Sequence, residues 1–170
     1  MKKLQKDRIL LLSFFSAFAI CSHIFDSLLP KPFPFLRLGF ANIPILIFVI
    51  KKEFFFAIVV ALSKSIVSPV LLGTIFSIQP LFSLAGSLVS VVLMASIYRI
   101  VNSFSIVGIS IVGAVSNNIV QICLAYLILF NTKEIFRLLP LLIVFAIVSG
   151  GFVGYIAKNI GKRLFKQGLI

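Results

Sequence analysis

Six apolar segments follow one another along the chain, separated by short polar or charged stretches. They cover residues 9–29, 38–50, 54–72, 80–98, 104–130 and 135–157. Because a helix needs about 20 apolar residues to cross a bilayer, five of them are long enough, whereas the second is short. The pattern predicts an all-α polytopic membrane protein: a bundle of about six transmembrane helices in one integral membrane domain over residues 1–170.

Composition strengthens the membrane interpretation. Hydrophobic residues make up 61% of the chain, more than a soluble domain of this length can bury. The net charge of +12 would suggest nucleic acid in a soluble protein, but here the cations lie between apolar runs. The basic start, with Ala17 to Ala19 as a possible cleavage site, resembles a secretory signal; an uncleaved first helix is favoured because the apolar run continues to Leu29.

The distribution of cations predicts the orientation. Six spans place both termini on one side, with eleven cations: Lys2, Lys3, Lys6, Arg8, Lys51, Lys52, Arg99, Lys158, Lys162, Arg163 and Lys166. The other side has four, Lys31, Arg37, Lys133 and Arg137, while Lys64 lies within a span. Positive charge favours the cytoplasmic side, so both termini are predicted to be cytoplasmic, in a multi-pass protein of a bacterial cytoplasmic membrane.

Signals for catalysis and for metal or cofactor binding are missing from the sequence. No G-x-x-x-x-G-K-[ST] phosphate loop occurs. The four acidic residues are scattered, so no clustered carboxylates exist for a magnesium-diphosphate site. The single histidine, His23, has no nearby partner at a metal-ligand spacing. We therefore expect no metal, no cofactor and no catalysis by this chain alone.

Polar residues within the spans are the candidates for ligand binding, because their burial in lipid is costly unless they are paired or face a cavity. Lys64 lies near the middle of the third segment and either snorkels between helices or faces a cavity. Asp26, one turn inside the outer end of the first segment, is its possible charge partner. Asn117, Asn118 and Gln121 share one side of the fifth segment, where they either bind helices together or recognise a ligand.

The outer loop after the first segment is the third candidate region. Its three prolines, Pro30, Pro32 and Pro34, stiffen the backbone. Arg37 follows them, and Asn42 then enters the membrane at the start of the second segment. We expect this stretch to form the lid and rim of a binding site.

Small residues suggest contacts between helices. Ser13, Ala17 and Cys21 recur every four positions on the first segment and form a smooth strip. The strip packs inside the bundle by default, or else it docks a separate membrane subunit. Cys21 and Cys123 are expected to be small buried side chains.

Three stretches together resemble a known family. They are "SLLPKPFPFLRLGFANI" at residues 27–43, "SLAGSLVS" at residues 83–90 and "FSIVGISIVGAVSNNIVQ" at residues 104–121. The chain is similar to the Gx transporter family, also named heptaprenyl diphosphate synthase component I, which is in turn similar to the substrate-binding S-components of energy-coupling factor (ECF) transporters. Compared with the family pattern, Asn117 replaces a common histidine, Lys64 an arginine and Asp26 a glutamate.

The resemblance implies a function and partners. S-components are six-helix proteins that capture small molecules outside, while separate ATPase subunits act through a transmembrane coupling subunit. That subunit meets small residues of the first helix, here Ser13, Ala17 and Cys21.

Three functions remain open at this stage. The first is a substrate-capturing subunit for a small anionic or amide-bearing molecule, with Arg37, Asn42, Lys64, Asn117, Asn118 and Gln121 as the substrate-binding residues. The alternative is a noncatalytic membrane component of a heptaprenyl diphosphate synthase. A self-sufficient channel or carrier is disfavoured because the two halves show no convincing repeat.

Overall fold

The computed structural model describes residues 2–29, 39–101, 104–130 and 132–166, and no strand occurs within these ranges. The six α-helices are α1 (Lys2–Leu28), α2 (Ile43–Ile50), α3 (Phe54–Leu71), α4 (Gln79–Ile100), α5 (Ile106–Ala125) and α6 (Leu139–Lys166). A 3₁₀ turn precedes α2 (Phe40–Asn42) and another precedes α6 (Lys133–Leu138), while a π-helical turn extends α5 (Tyr126–Phe130). The all-α prediction is confirmed, and α1 and α6 extend past the apolar segments into the basic ends.

Within the part of the chain that the structure describes, five helical stretches are long and apolar enough to cross a membrane: Arg8–Leu28, Phe54–Leu71, Gln79–Ile100, Ile106–Leu129 and Lys133–Leu164. Large apolar side chains face outward from them, among them Phe14, Leu127 and Val148, each about two-thirds exposed. Such a surface is stable against lipid and not against water. The chain is a multi-pass membrane protein.

The second segment differs from the others because α2 is too short to cross a bilayer. Its eight residues rise roughly 12 Å at 1.5 Å per residue, against a hydrocarbon core of about 30 Å. Six of them, Ile43 and Ile45–Val49, are at most 3% exposed. α2 is therefore an internal helix that contacts α1, α3, α4 and α6.

Cations from three elements gather at one end of the bundle. Desolvation by burial lowers the pKa of Lys51 in the α2–α3 turn; Glu53 raises this pKa, and Coulomb repulsion from Arg8 of α1 lowers it further. The Arg99 guanidinium at the end of α4 lies 4.2 Å from the centre of the Phe54 ring at the start of α3. The start of α1, the α2–α3 turn and the end of α4 thus share what we call the basic end.

Glycines allow α5 and α6 to approach closely. A Cβ atom on Gly154 would lie 2.8 Å from the Val107 Cα and 2.8 Å from the Ser110 Cβ, and one on Gly150 would lie 2.9 Å from the Ile111 Cα. These distances are shorter than van der Waals contact, so the two helices meet backbone to backbone, as small residues permit in membranes.

Candidate ligand-binding cavity

A polar cavity lies between the helices, away from the basic end. Its volume is about 430 Å³, including the space at its mouth. Its lining residues come from the turn that precedes α2 and from five helices, α1, α3, α4, α5 and α6. Because lipid and the apolar core surround the cavity, the polar groups that line it are costly to bury. Their presence therefore indicates a structural or binding role.

α1 contributes His23 and Asp26, which lie one turn apart on the same helix face. Both side chains are buried, at 5% and 2% exposure. The His23 Nε2 atom is 3.0 Å from the Ser83 hydroxyl of α4, which in turn is 3.2 Å from the Ser65 hydroxyl of α3. This chain of hydrogen bonds joins α1, α3 and α4 behind the cavity wall.

The turn before α2 forms the second wall. The backbone N–H of Gly39 donates to the Asp26 carboxylate at 3.2 Å, and the Gly39 carbonyl accepts from the backbone N–H of Asn42 at 2.9 Å. Gly39 has φ +81°, a left-handed conformation that glycine adopts without strain. The glycine thus fixes where the chain enters the bundle and positions Asn42 at the cavity.

Lys64 of α3 faces the cavity and is 4% exposed. Its ammonium donates to the Asn42 Oδ1 atom at 2.5 Å. The prediction that Lys64 faces a cavity fits this position better than snorkelling to the membrane surface. Asp26 lines the same cavity, so the two charges share one compartment; a direct ion pair between them stays a prediction.

The three amides of α5 have different environments. Asn117 is half-buried, lines the cavity and lies against Gly86 of α4, where a Cβ atom would overlap its side-chain oxygen. Asn118 lines the cavity and also donates from Nδ2 to the Leu142 carbonyl of α6 at 3.0 Å, so it binds helices together as well. Gln121 is 1% exposed, and its Nε2 has no acceptor within the described part of the chain. It is not among the residues that line this cavity.

Sequence reasoning missed three polar side chains among the described lining residues, His23, Ser87 and Ser149. His23 was assessed only as a metal ligand, and within the described ranges no group of three potential ligands is positioned to hold a metal ion. Its spacing from Asp26 was the signal that could have found it. The two serines gave no signal, because serine occurs in membrane helices for many structural reasons.

Arg37, a predicted substrate-binding residue, and the three prolines of the outer loop lie outside the described residues.

A second compartment, of about 280 Å³ including the open space at its mouth, adjoins the polar cavity and shares Gly39, Asn42, Ala114 and Ser149 with it. Its own lining includes the apolar side chains of Leu46, Met94 and Val153.

The small-residue strip on α1 lies on the outer surface. Ser13, Ala17 and Cys21 are all exposed, so the default expectation that they pack inside the bundle is wrong. The expectation that both cysteines are buried is also wrong, since Cys21 and Cys123 are exposed free thiols. The periodicity located a helix face correctly, but it could not tell an interior face from one that meets lipid.

Fold and cavity together define a class: a helical multi-pass membrane protein with a buried polar cavity between its helices. Residues 15–160 match the family described as heptaprenyl diphosphate synthase component I, and the chain belongs to this family. The family resemblance seen in the sequence is thereby confirmed. No curated protein matches the chain significantly, and neither does any solved structure.

Proposed function

We propose that this chain is the substrate-capturing membrane subunit of an ECF-type uptake transporter. The polar cavity carries the proposal, because an interior space lined by charged and amide groups from α1, α3, α5 and the turn before α2 suits a small polar ligand. Asn42, Lys64, Asn117 and Asn118 are the proposed substrate-binding residues that line it. Gln121 lies one turn from Asn117 on the same helix face. It does not line the cavity, and we propose that it contributes to binding from the layer of residues behind the lining.

Three further observations support such a system, in which capture, coupling and ATP hydrolysis belong to separate subunits. The sequence has no phosphate loop, so energy from ATP requires separate ATPase subunits. The exposed strip of Ser13, Ala17 and Cys21 would let a helix of a coupling subunit approach α1 closely. The excess of cations at the basic end favours a cytoplasmic position for that end, which directs the cavity toward the outside of the cell membrane.

Copurification tests this proposal, and the two cysteines supply a matched pair of variants. Both are exposed, but only Cys21 belongs to the strip. We expect Cys21→Leu to reduce copurification with a coupling subunit and its ATPases by about tenfold, equivalent to about 1.4 kcal/mol, because the larger side chain holds the two helices apart. Cys123→Leu should leave it unchanged. A protein that copurifies with no such subunits, or equal loss in both variants, would contradict the proposal.

The family description favours a second candidate, a noncatalytic membrane component of a prenyl diphosphate synthase. The sequence has only two aspartates, Asp7 and Asp26, so a magnesium-diphosphate site would have to come from another chain. Synthase activity of a purified catalytic chain, measured in lipid with and without this protein, separates the two functions. A rise in rate or a change in product length would favour the synthase component.

A further inference from the structure

At the basic end, the start of α1 lies beside the α2–α3 turn. Leu12 of α1 and Ile50 at the end of α2 pack against the same apolar cluster. Arg8 is one turn before Leu12, and Lys51 directly follows Ile50. Burial is the main cause of the lowered pKa of Lys51; Glu53 raises that pKa, and repulsion from Arg8 lowers it. The two cations therefore lie close enough to repel each other.

The end of α4 adds a further cation beside this turn. The Arg99 guanidinium lies 4.2 Å from the ring centre of Phe54, the first residue of α3. Arg8, Lys52 and Arg99 are all exposed, and arginine keeps its charge at any physiological pH. Over residues 2–8, 51–53 and 99, the sequence has two carboxylates, Asp7 and Glu53, and seven cations: Lys2, Lys3, Lys6, Arg8, Lys51, Lys52 and Arg99. The basic end thus has an excess of positive charge.

Lys52 has an unusual backbone conformation for a lysine. Its φ is +62°, in the left-handed region where glycine or asparagine usually follows a helix, because a Cβ atom is strained there. The turn is held by hydrogen bonds of 3.0 Å from the N–H of Lys52 to the Val49 carbonyl and from the N–H of Glu53 to the Phe48 carbonyl. The chain places an exposed cation where glycine would be less strained, which indicates a use for the charge.

Exposed aromatic side chains lie on the membrane side of these cations. Phe14 is six residues after Arg8 in α1, roughly 9 Å further along the helix at 1.5 Å per residue. Phe55 is in the first turn of α3, three residues after Lys52. The two rings are 66% and 73% exposed. α1 packs against α3, and the Phe48 ring of α2 contacts an aromatic ring of each helix.

We propose that the basic end binds an anionic phospholipid. The headgroup phosphate lies between Arg8 and the α2–α3 turn, and the acyl chains contact Phe14 and Phe55. A phospholipid matches both parts of this surface, because it presents negative charge at the membrane surface and hydrocarbon directly below it. Clusters of Lys and Arg next to membrane helices attract anionic lipids in this way. The site is separate from the polar cavity and does not depend on the proposed capture role.

Other sources of phosphate fit this surface less well. A zwitterionic phospholipid carries its own positive charge beside the phosphate, so it leaves the excess charge of the basic end without a counter-charge. A soluble phosphate ester supplies the negative charge but makes no contact with Phe14 or Phe55. The match therefore favours a lipid with a net negative headgroup.

Lipid binding to the purified full chain tests the proposal. Native mass spectrometry of the detergent-solubilised protein, titrated with dioleoyl phosphatidylglycerol or dioleoyl phosphatidylcholine, gives the affinity for each lipid. We expect phosphatidylglycerol to bind about tenfold more tightly, a difference of about 1.4 kcal/mol. Glycerol phosphate at the same concentration should not displace it. Equal affinities for the two lipids, or displacement by glycerol phosphate, would overturn the assignment of an anionic phospholipid site.

A pair of charge-matched variants locates the site. Arg8→Gln should weaken phosphatidylglycerol binding by about fivefold, equivalent to about 1 kcal/mol, as expected for one cation near the membrane surface. Lys133→Gln removes the same charge from an exposed position in the turn before α6, and it should leave the affinity unchanged. Monodisperse elution identifies folded variants. Equal loss in both would show attraction by net charge alone and would contradict the proposed site.

Lys52→Gly separates the charge of this residue from its backbone conformation. Glycine adopts a φ of +62° without strain, so the Tm of the variant in phosphatidylcholine nanodiscs should not fall below that of wild type. A bound lipid raises Tm, and replacing part of the phosphatidylcholine with phosphatidylglycerol should raise it less in Lys52→Gly than in wild type. An undiminished rise, or a lower Tm in phosphatidylcholine alone, would contradict the claim that Lys52 is there for its charge.

Discussion

Lys64 illustrates how a costly residue is accommodated in this protein. Its ammonium donates to Asn42 and shares a cavity with the Asp26 carboxylate. The Asp26 carboxylate in turn accepts from the backbone of Gly39. Hydrogen bonds of this kind recover part of the cost of moving a charge out of water. These four residues connect α3, the end of α1 and the turn before α2 around one polar space.

Asn118 and Asn117 are neighbours with different structural roles, so substituting each separately tests the assignment. Asn118→Ala removes the hydrogen bond to the Leu142 carbonyl and should cost about 1 kcal/mol of stability, the usual value for an interhelical bond in a membrane. Asn117→Ala should cost less, because Asn117 is half-buried and alanine favours the helix. Thermal unfolding in one detergent measures both variants. A larger loss for Asn117→Ala would contradict this assignment.

Some of these residues could be found from the sequence and others could not. Lys64 and Asp26 were identifiable because a charge inside an apolar run is rare and costly. Asn117 and Asn118 were identifiable because amides are also scarce there. His23 offered only its spacing from Asp26 as a signal, and its contact with Ser83, 60 residues away, could not be predicted from the sequence.

At the level of elements, the apolar runs predicted all six helices, because an uninterrupted apolar stretch in lipid has to satisfy its own backbone hydrogen bonds. They did not predict that α2 would be internal. Ile, Leu, Phe and Val suit a lipid contact and a protein interior equally well, and only the short length of α2 distinguished it from the other five.

The close contact between α5 and α6 makes a sharp prediction about two glycines of α6. Gly154→Ala should destabilise the protein by about 1–3 kcal/mol, because the new methyl group would overlap Val107 and Ser110 of α5. Gly151→Ala should be neutral or stabilise by up to about 1 kcal/mol, since no atom lies within 4 Å of the added Cβ and alanine favours the helix.

The same thermal assay compares these two variants, which place the same substitution three residues apart in one helix. Equal changes in Tm for the two variants would contradict the claim that Gly154 is needed for the close approach of α5 and α6.

At the scale of the whole molecule, three features lie in different places. The described cations of α1, α4 and the α2–α3 turn lie at the basic end, the exposed small-residue strip lies on the outer surface of α1, and the polar cavity lies inside. In the proposed capture role, a coupling subunit, the cytoplasm and a ligand would each meet a different part of the chain. The proposed capture role uses all three, whereas a synthase component has no evident need for the cavity.

Mass spectrometry of small molecules retained by the detergent-purified protein tests the central claim most directly. Wild type and Lys133→Gln should retain the same small molecule, because Lys133 is exposed outside the cavity. Lys64→Gln, purified in parallel and eluting as a monodisperse species, should lose it by about tenfold or more, as expected for removal of a charge-assisted hydrogen bond. A wild-type protein that retains no small molecule, or equal retention by Lys64→Gln, would contradict the claim that this cavity captures a ligand.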